Sequence, residues 1–200
     1  MTTLLKTSIL ISLLVISLTA VSYSQTYSLG AGLNYAPTEI SKGFGISGVL
    51  EYRTGIHYAY RLNLRAIVGS FENDYYPGMS YFLPGLEASF VYYPVKWPIE
   101  PYLGAGAGYF FPAATGPGGM YRTTPEGELA GSNIRSDYGL NALAGFKLSA
   151  DTPVSLLLEF KYNYFRPKVT HEFSSPVHHF REGKVEWSSL ITSLSVVVKL

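Results

Sequence analysis

The 200-residue chain contains no cysteine. That excludes a disulfide scaffold, thiolate metal sites, a cysteine nucleophile and lipid anchoring through an N-terminal cysteine. Charge is almost as scarce. Charged residues make up 14% of the chain and the formal net charge is +1, so no field is present to hold a phosphate backbone, and nucleic acid is excluded as a partner. Beyond the first twenty-odd residues no apolar run reaches the ~18 residues of a spanning helix. The 20 glycines and 12 prolines follow no period, which excludes collagen. Aromatics are abundant instead: 17 Tyr, 11 Phe and 2 Trp, residues that favour strands and membrane interfaces over helices.

The first segment reads as an address. Lys6 precedes the apolar stretch Ile9 to Ala20, and small residues follow before Gln25. This is the order of a secretory signal peptide, and the apolar stretch is shorter than the ~20 residues of a membrane anchor. The expected organisation is a signal peptide over residues 1–24 and one domain over residues 25–200, exported and close to neutral.

Past residue 25 the hydrophobic period is two, and it recurs eight times, around residues 27–35, 44–53, 58–68, 86–92, 103–109, 140–148, 155–164 and 190–200. In the seventh segment, Leu156, Leu158, Phe160, Tyr162 and Tyr164 oppose Ser155, Glu159, Lys161 and Asn163. Each segment is about as long as a tilted strand that crosses a bilayer. Connections alternate between short turns (53–57, 94–101, 149–153) and long ones (71–80, 111–136, 165–186), with the short 36–42 as the exception. Most prolines fall in the connections. Pro84, inside the fourth segment, calls for a bulge.

The balance of the two faces indicates which one meets lipid. A solvated face carries several charges per strand. Here the polar face is small and glycine-rich, and its few charges are Glu51, Arg61, Arg65, Glu87, Lys147, Glu159 and Lys161. The apolar face is continuous and ends in aromatics: Tyr27, Tyr52, Tyr58, Tyr92, Trp97 and Tyr102 at one end, Tyr35, Tyr81, Tyr109, Tyr138, Tyr164 and Trp187 at the other. Two such girdles suit two bilayer interfaces. Inside hydrocarbon every backbone polar group must pair, so the sheet has to close. The expected fold is all-β, an eight-stranded antiparallel up-and-down transmembrane β-barrel, with both termini and the short turns in the periplasm.

The runs Pro101-Tyr102-Leu103-Gly104-Ala105-Gly106-Ala107-Gly108-Tyr109 and Leu158-Glu159-Phe160-Lys161-Tyr162-Asn163-Tyr164 resemble strands of the small bacterial outer-membrane β-barrel domain. This is the OmpA/OmpX-like group of Gram-negative bacteria. The resemblance implies an outer-membrane protein without a peptidoglycan-binding domain, inserted by the barrel-assembly machinery among outer-membrane lipid and lipopolysaccharide. Members commonly end in an aromatic residue, whereas this chain ends in Leu200.

An eight-stranded barrel is just wide enough for its own side chains to fill it. The inward acids are therefore expected to pair with the inward bases, and Gly104, Gly106 and Gly108 to make room for large neighbours. No catalytic, cofactor-binding or metal site is expected. His171, His178 and His179 with Glu172 resemble a metal cluster by residue type alone. His171 beside Ser174 or Ser175 resembles a nucleophile and base, but on what reads as a loop. The function expected is structural, or surface interaction with an unknown extracellular partner through loops 111–136 and 165–186. The alternatives are a narrow channel for water or ions, a soluble lipocalin-like carrier with the polar face outside, and a lipid A-modifying enzyme.

Overall fold

A computed structural model describes residues 26–38, 41–71, 80–115, 122–124, 127–149, 153–175, 179–184 and 187–200. The proposed signal peptide lies outside the described residues.

Eight long strands form the barrel: β1 (Thr26–Pro37), β2 (Ser41–Thr54), β3 (Tyr58–Phe71), β4 (Ser80–Tyr92), β5 (Ile99–Phe110), β9 (Asp137–Ser149), β10 (Val154–Phe165) and β13 (Ser189–Lys199). Five shorter strands, β6 (Ala113–Thr115), β7 (Arg122–Thr124), β8 (Gly127–Ile134), β11 (Lys168–Ser175) and β12 (His179–Lys184), fill the long connections. Around the wall the order is β3-β2-β1-β13-β10-β9-β5-β4, and β4 returns to β3, so the sheet is a closed eight-stranded antiparallel barrel. The ladder runs unbroken from Thr26↔Arg53 to Pro37↔Lys42 between β1 and β2, and from Ser28↔Lys199 to Tyr35↔Thr192 between the first and last strands.

Period-two alternation sets the two surfaces. Leu29, Leu33, Phe44, Ile46, Leu64, Leu140 and Leu194 point outward, and Leu33 and Phe44 are each 69% exposed. On the other parity, Ser28, Asn34, Ser47, Glu51, Arg61, Asn63, Arg65, Glu87, Asn141, Lys147, Glu159, Lys161, Ser193 and Ser195 are buried. The polarity is therefore inverted: apolar side chains form the outer surface and ionic ones fill the middle. Water would penalise this arrangement by about 25 cal/mol for each Å² of exposed apolar surface, whereas a bilayer favours it. The wall is that of a membrane-spanning barrel, and the lipocalin-like alternative, which needs the polar face outside, fails on orientation.

The turns differ at the two ends. At the end holding Thr26 and Lys199, β2 and β3 join through a tight turn with Gly55 at φ 73°, a conformation that favours glycine. There His57 Nδ1 lies 2.8 Å from the Tyr93 carbonyl, and the Tyr93 N–H donates to the His57 carbonyl at 2.7 Å, tying two turns together. At the other end, two strands continue past the wall. Beyond β9 and β10 the chain pairs again as β8 with β11, and β12 and β7 widen the extension into a four-stranded sheet, β12-β11-β8-β7. These segments read as loops in the sequence because β8 and β11 alternate poorly. β11 also slips register against β8 around Phe173.

Pro84 sits where β4 changes partner. β4 pairs with β5 up to Gly85 and with β6 from Phe82, and between them the Pro84 carbonyl accepts the Phe111 N–H at 2.9 Å. The missing proline N–H thus falls in the gap between β5 and β6; the register is the same on both sides, Gly85 opposite Phe110 and Phe82 opposite Ala113, so the bulge expected at Pro84 does not form. Pro37 ends β1 and Pro101 lies near the start of β5, both at strand ends where a ladder donor is least needed.

The inverted polarity makes a direct prediction. Leu33→Arg puts a cation mid-wall on the lipid face and should cost about 2–4 kcal/mol, while Tyr27→Arg at the strand end should cost about 0–1 kcal/mol. Urea titration of protein folded into phospholipid vesicles reads both. Equal, small effects would contradict a lipid-facing wall.

Candidate functional site

The charged side chains of the lumen come from five strands, placed there by parity alone: Glu51 from β2, Arg61 and Arg65 from β3, Glu87 from β4, Lys147 from β9, and Glu159 and Lys161 from β10. They join into one chain. Lys147 Nζ donates to Glu51 Oε1 at 3.0 Å. Arg61 grips Glu51 Oε2 through Nε at 3.1 Å and through Nη2, and its Nη1 reaches Glu159 Oε2. Lys161 Nζ lies 3.2 Å from Glu159 Oε1 and donates to Glu87 Oε2 at 2.7 Å. Arg65 Nη1 stands 3.0 Å from Glu87 Oε1. The order is Lys147, Glu51, Arg61, Glu159, Lys161, Glu87, Arg65, with the sign alternating at every step. Alternation offsets much of the desolvation cost, since each interior ion has a counter-ion on both sides.

Aromatic rings support the chain from the turn end. The Tyr93 hydroxyl donates to Glu51 Oε2 at 2.8 Å and accepts from Arg61 Nη2 at 3.0 Å. The Arg61 guanidinium lies 4.6 Å above the Tyr102 ring, and the Tyr102 hydroxyl donates to Glu159 Oε2 at 3.3 Å. A cation over an aromatic face gains roughly 2 kcal/mol when desolvated. Below this layer Ala59, Val91, Leu143, Leu157 and Val197 pack with the two tyrosines. A separate pair, Arg53 and Glu100, closes the turn end at 2.9 Å, with the Arg53 guanidinium 4.2 Å from the Tyr93 ring. Above the charges, Ala36, Ile67, Tyr81, Phe110, Phe165, Trp187 and Ile191 form an apolar cap. The lumen is therefore stacked as greasy cap, ionic layer and greasy floor.

Three aromatics expected in the girdles belong instead to this filling. Tyr81, Tyr102 and Trp187 are 2%, 2% and 3% exposed and point into the barrel. Their position along the strand suits an interface, but parity decides the face. Tyr81 shares that of Glu87, and Tyr102 that of Gly104 and Gly106. Inward glycines accommodate them: a Cβ at Gly69 would lie 2.6 Å from the Tyr81 ring, and one at Gly145 would lie 2.6 Å from the Tyr102 hydroxyl. At Gly108 the space goes to Glu87 and Phe110.

The remaining nine lie on the outer face or at the turns. Tyr27, Tyr52 and Tyr60 stack in sequence, with centroids 4.9 and 6.5 Å apart, and Tyr58 sits 5.4 Å from Tyr92. Trp97 is exposed beside them in the β4–β5 connection. At the opposite end Tyr35 packs on Phe44, Tyr109 on Tyr138, and Tyr164 under Arg166. Sequence reasoning missed Tyr93, which continues the inward parity of β4 one step past the strand end, and the Arg53–Glu100 pair.

No group of three or more metal-ligating side chains occurs among the described residues. His178 lies outside them. His171 is on β11 and His179 on β12, where Phe173 pairs with His179 and His171 with Arg181. Ser174 and Ser175 also lie on β11. A concavity of about 870 Å³ occurs on the outer wall, over Ala31, Gly48, Ala66 and Pro84. It arises because these residues are small, and it faces hydrocarbon rather than the charged lumen.

Removing a counter-ion from the middle of the chain is expected to cost far more than removing one from the surface. Glu51→Ala leaves Arg61 and Lys147 short of a partner and should destabilise by about 3–5 kcal/mol. Glu182→Ala, which breaks an exposed pair with Arg135 at 3.5 Å, should cost less than about 1 kcal/mol. Urea midpoints of the two variants in vesicles test the contrast.

No family model and no curated protein matches the chain. Solved structures do. The outer membrane protein OprG from Pseudomonas aeruginosa matches with a TM-score of 0.69 at 11% identity, over 88% of this chain and 95% of that one. AlkL, an outer membrane protein solved in lipid bilayers, matches with a TM-score of 0.60 at 15% identity, over 91% and 93%. Neisserial surface protein A matches with a TM-score of 0.54 at 20% identity, over 88% and 97%. The order of strands, the closed wall and these likenesses agree: the chain has the fold of the small eight-stranded outer-membrane β-barrels.

Proposed function

We propose that this is an exported, non-enzymatic protein of the bacterial outer membrane that acts at the cell surface through the sheet standing beyond its barrel. The observation that carries this reading is the filled lumen. Charged layer, cap and floor pack the bore among the described residues, and the cavity beside the ion chain has about 10 Å³, about the room of one water-sized sphere. A water or ion path would have to break the ionic chain and displace Phe110, Phe165 and Trp187. The wall supplies anchorage in lipid and lipopolysaccharide, and the periodic strands are substrates for the barrel-assembly machinery.

What remains for a partner is the extension. β12 pairs only with β11, and β7 only with β8, among the described residues. The outer edges of β12 and β7, unpaired among the described residues, offer backbone donors and acceptors of the kind that accept an added strand. Lys184 and Glu182 are exposed on β12, charges that limit self-association through that edge.

Replacing residues 169–183 with a short turn should leave heat-modifiable folding intact and abolish attachment of expressing cells to the surfaces the full protein adheres to. Planar-bilayer recordings of the full protein should show no unitary conductance, and lipid A from cells with and without the gene should carry the same acyl chains. Reproducible unitary steps, or a changed acyl pattern, would overturn the reading.

A further inference from the structure

The ion chain is not neutral. It begins on Lys147 and ends on Arg65, so its seven members are four cations and three anions. No further charged side chain among the described residues is buried beside the Arg65 end. An uncompensated charge inside a barrel surrounded by lipid costs several kcal/mol. The excess is localised. Arg61 and Lys161 each have two carboxylate partners, and Lys147 sits next to the Arg53–Glu100 pair at the turn end, where Lys147 and Glu100 are register partners. Arg65 has one carboxylate within ion-pair distance, Glu87, with Glu159 on the far side of the same cavity. Although its Nη1 is 3.0 Å from Glu87 Oε1, that contact is not aligned as a hydrogen bond, and Arg65 Nε and Nη1 both lack an acceptor.

The space beside Arg65 is equally specific. The cavity of about 10 Å³ is lined by Arg65, Asn63, Ser47, Ser193, Ser195 and Glu159, with Arg61 and two apolar side chains completing it. Asn63 Nδ2 is buried and also without an acceptor. Glu159, the one acid on the lining, is already engaged at both oxygens, by Arg61 and Tyr102 on one and by Lys161 on the other. Two residues that carry orphaned donors, one of them cationic, thus line a hole of monatomic size in a cluster one negative charge short.

We infer that the lumen holds a single halide ion, chloride under ordinary conditions, between Arg65 and Asn63. It would complete the alternation as the eighth charge and accept the unpaired N–H groups. Size excludes sulfate and larger anions. Water would satisfy one or two donors but leave the charge. The inference is independent of what the outer sheet binds.

Ser47 provides the decisive variant. It stands directly opposite Arg65 on β2 and lines the cavity, so Ser47→Asp brings a covalent carboxylate to the position the ion would occupy. Protein folded in detergent micelles is melted at constant ionic strength in chloride, gluconate or sulfate. Wild type should gain about 4 °C for each tenfold rise in chloride once the site is saturating and nothing from gluconate or sulfate, while S47D should melt alike in all three. Crystals of the wild type grown in bromide should give an anomalous peak within hydrogen-bonding distance of Arg65 Nε and Asn63 Nδ2, a readout that does not depend on the variant folding. Identical melting of the wild type in chloride and gluconate, retained chloride dependence in S47D, or a cavity holding only water would each overturn the inference.

Discussion

Backbone hydrogen bonding in the absence of water is the constraint on which everything else here rests. Strands bordered by hydrocarbon have only neighbouring strands to pair with, so the sheet must close on itself, and β3 returning to β4 is that closure. Closure with eight strands fixes the bore, and the bore fixes what the interior is made of: side chains that fill it, without a solvated channel. The inverted polarity follows. Once lipid takes the greasy face, each strand's polar parity is forced inward, and each charge must find a counter-ion within a few ångströms.

The interior solves that problem by ordering. Signs alternate from Lys147 to Arg65, tyrosine hydroxyls and an aromatic face occupy the remaining sites around Arg61, and apolar layers shield the chain at both ends. Each carboxylate is shared by two cations, so no single pair carries the fold and loss of one member is felt by both neighbours. The same arrangement makes the barrel a rigid pedestal. Two of its strands, β9 and β10, continue past the wall into β8 and β11, which pair again one residue out of the wall's register, so the exposed sheet stands directly on a wall that lipid holds in place.

Much of this was legible in the sequence because a period of two is a strong signal when it recurs eight times. It gives the strand count, the faces, and the set of seven interior charges, since parity needs no tertiary information. Tyr81, Tyr102 and Trp187 mark its limit: nearness to a strand end assigns them to the girdles, whereas their parity puts them inside. Which charge pairs with which was beyond reach. Arg61 meets Glu159 across the bore, 98 residues away, and only closure and stagger decide that. The outer strands were hidden because β8 and β11 pair above the bilayer, where no lipid imposes alternation.

The account stands or falls on which face meets hydrocarbon, and the absence of native cysteine allows that to be measured residue by residue. Nitroxide labels attached to single cysteines at positions 33, 64, 160 and 194, in protein folded into phospholipid vesicles, report collision with oxygen, which concentrates in the bilayer, or with a nickel chelate, which stays in water. The inverted barrel predicts high oxygen and negligible nickel accessibility at all four. Nickel access at these positions, with labels shielded from oxygen, would show the greasy face turned to the inside or to water and would contradict the central claim.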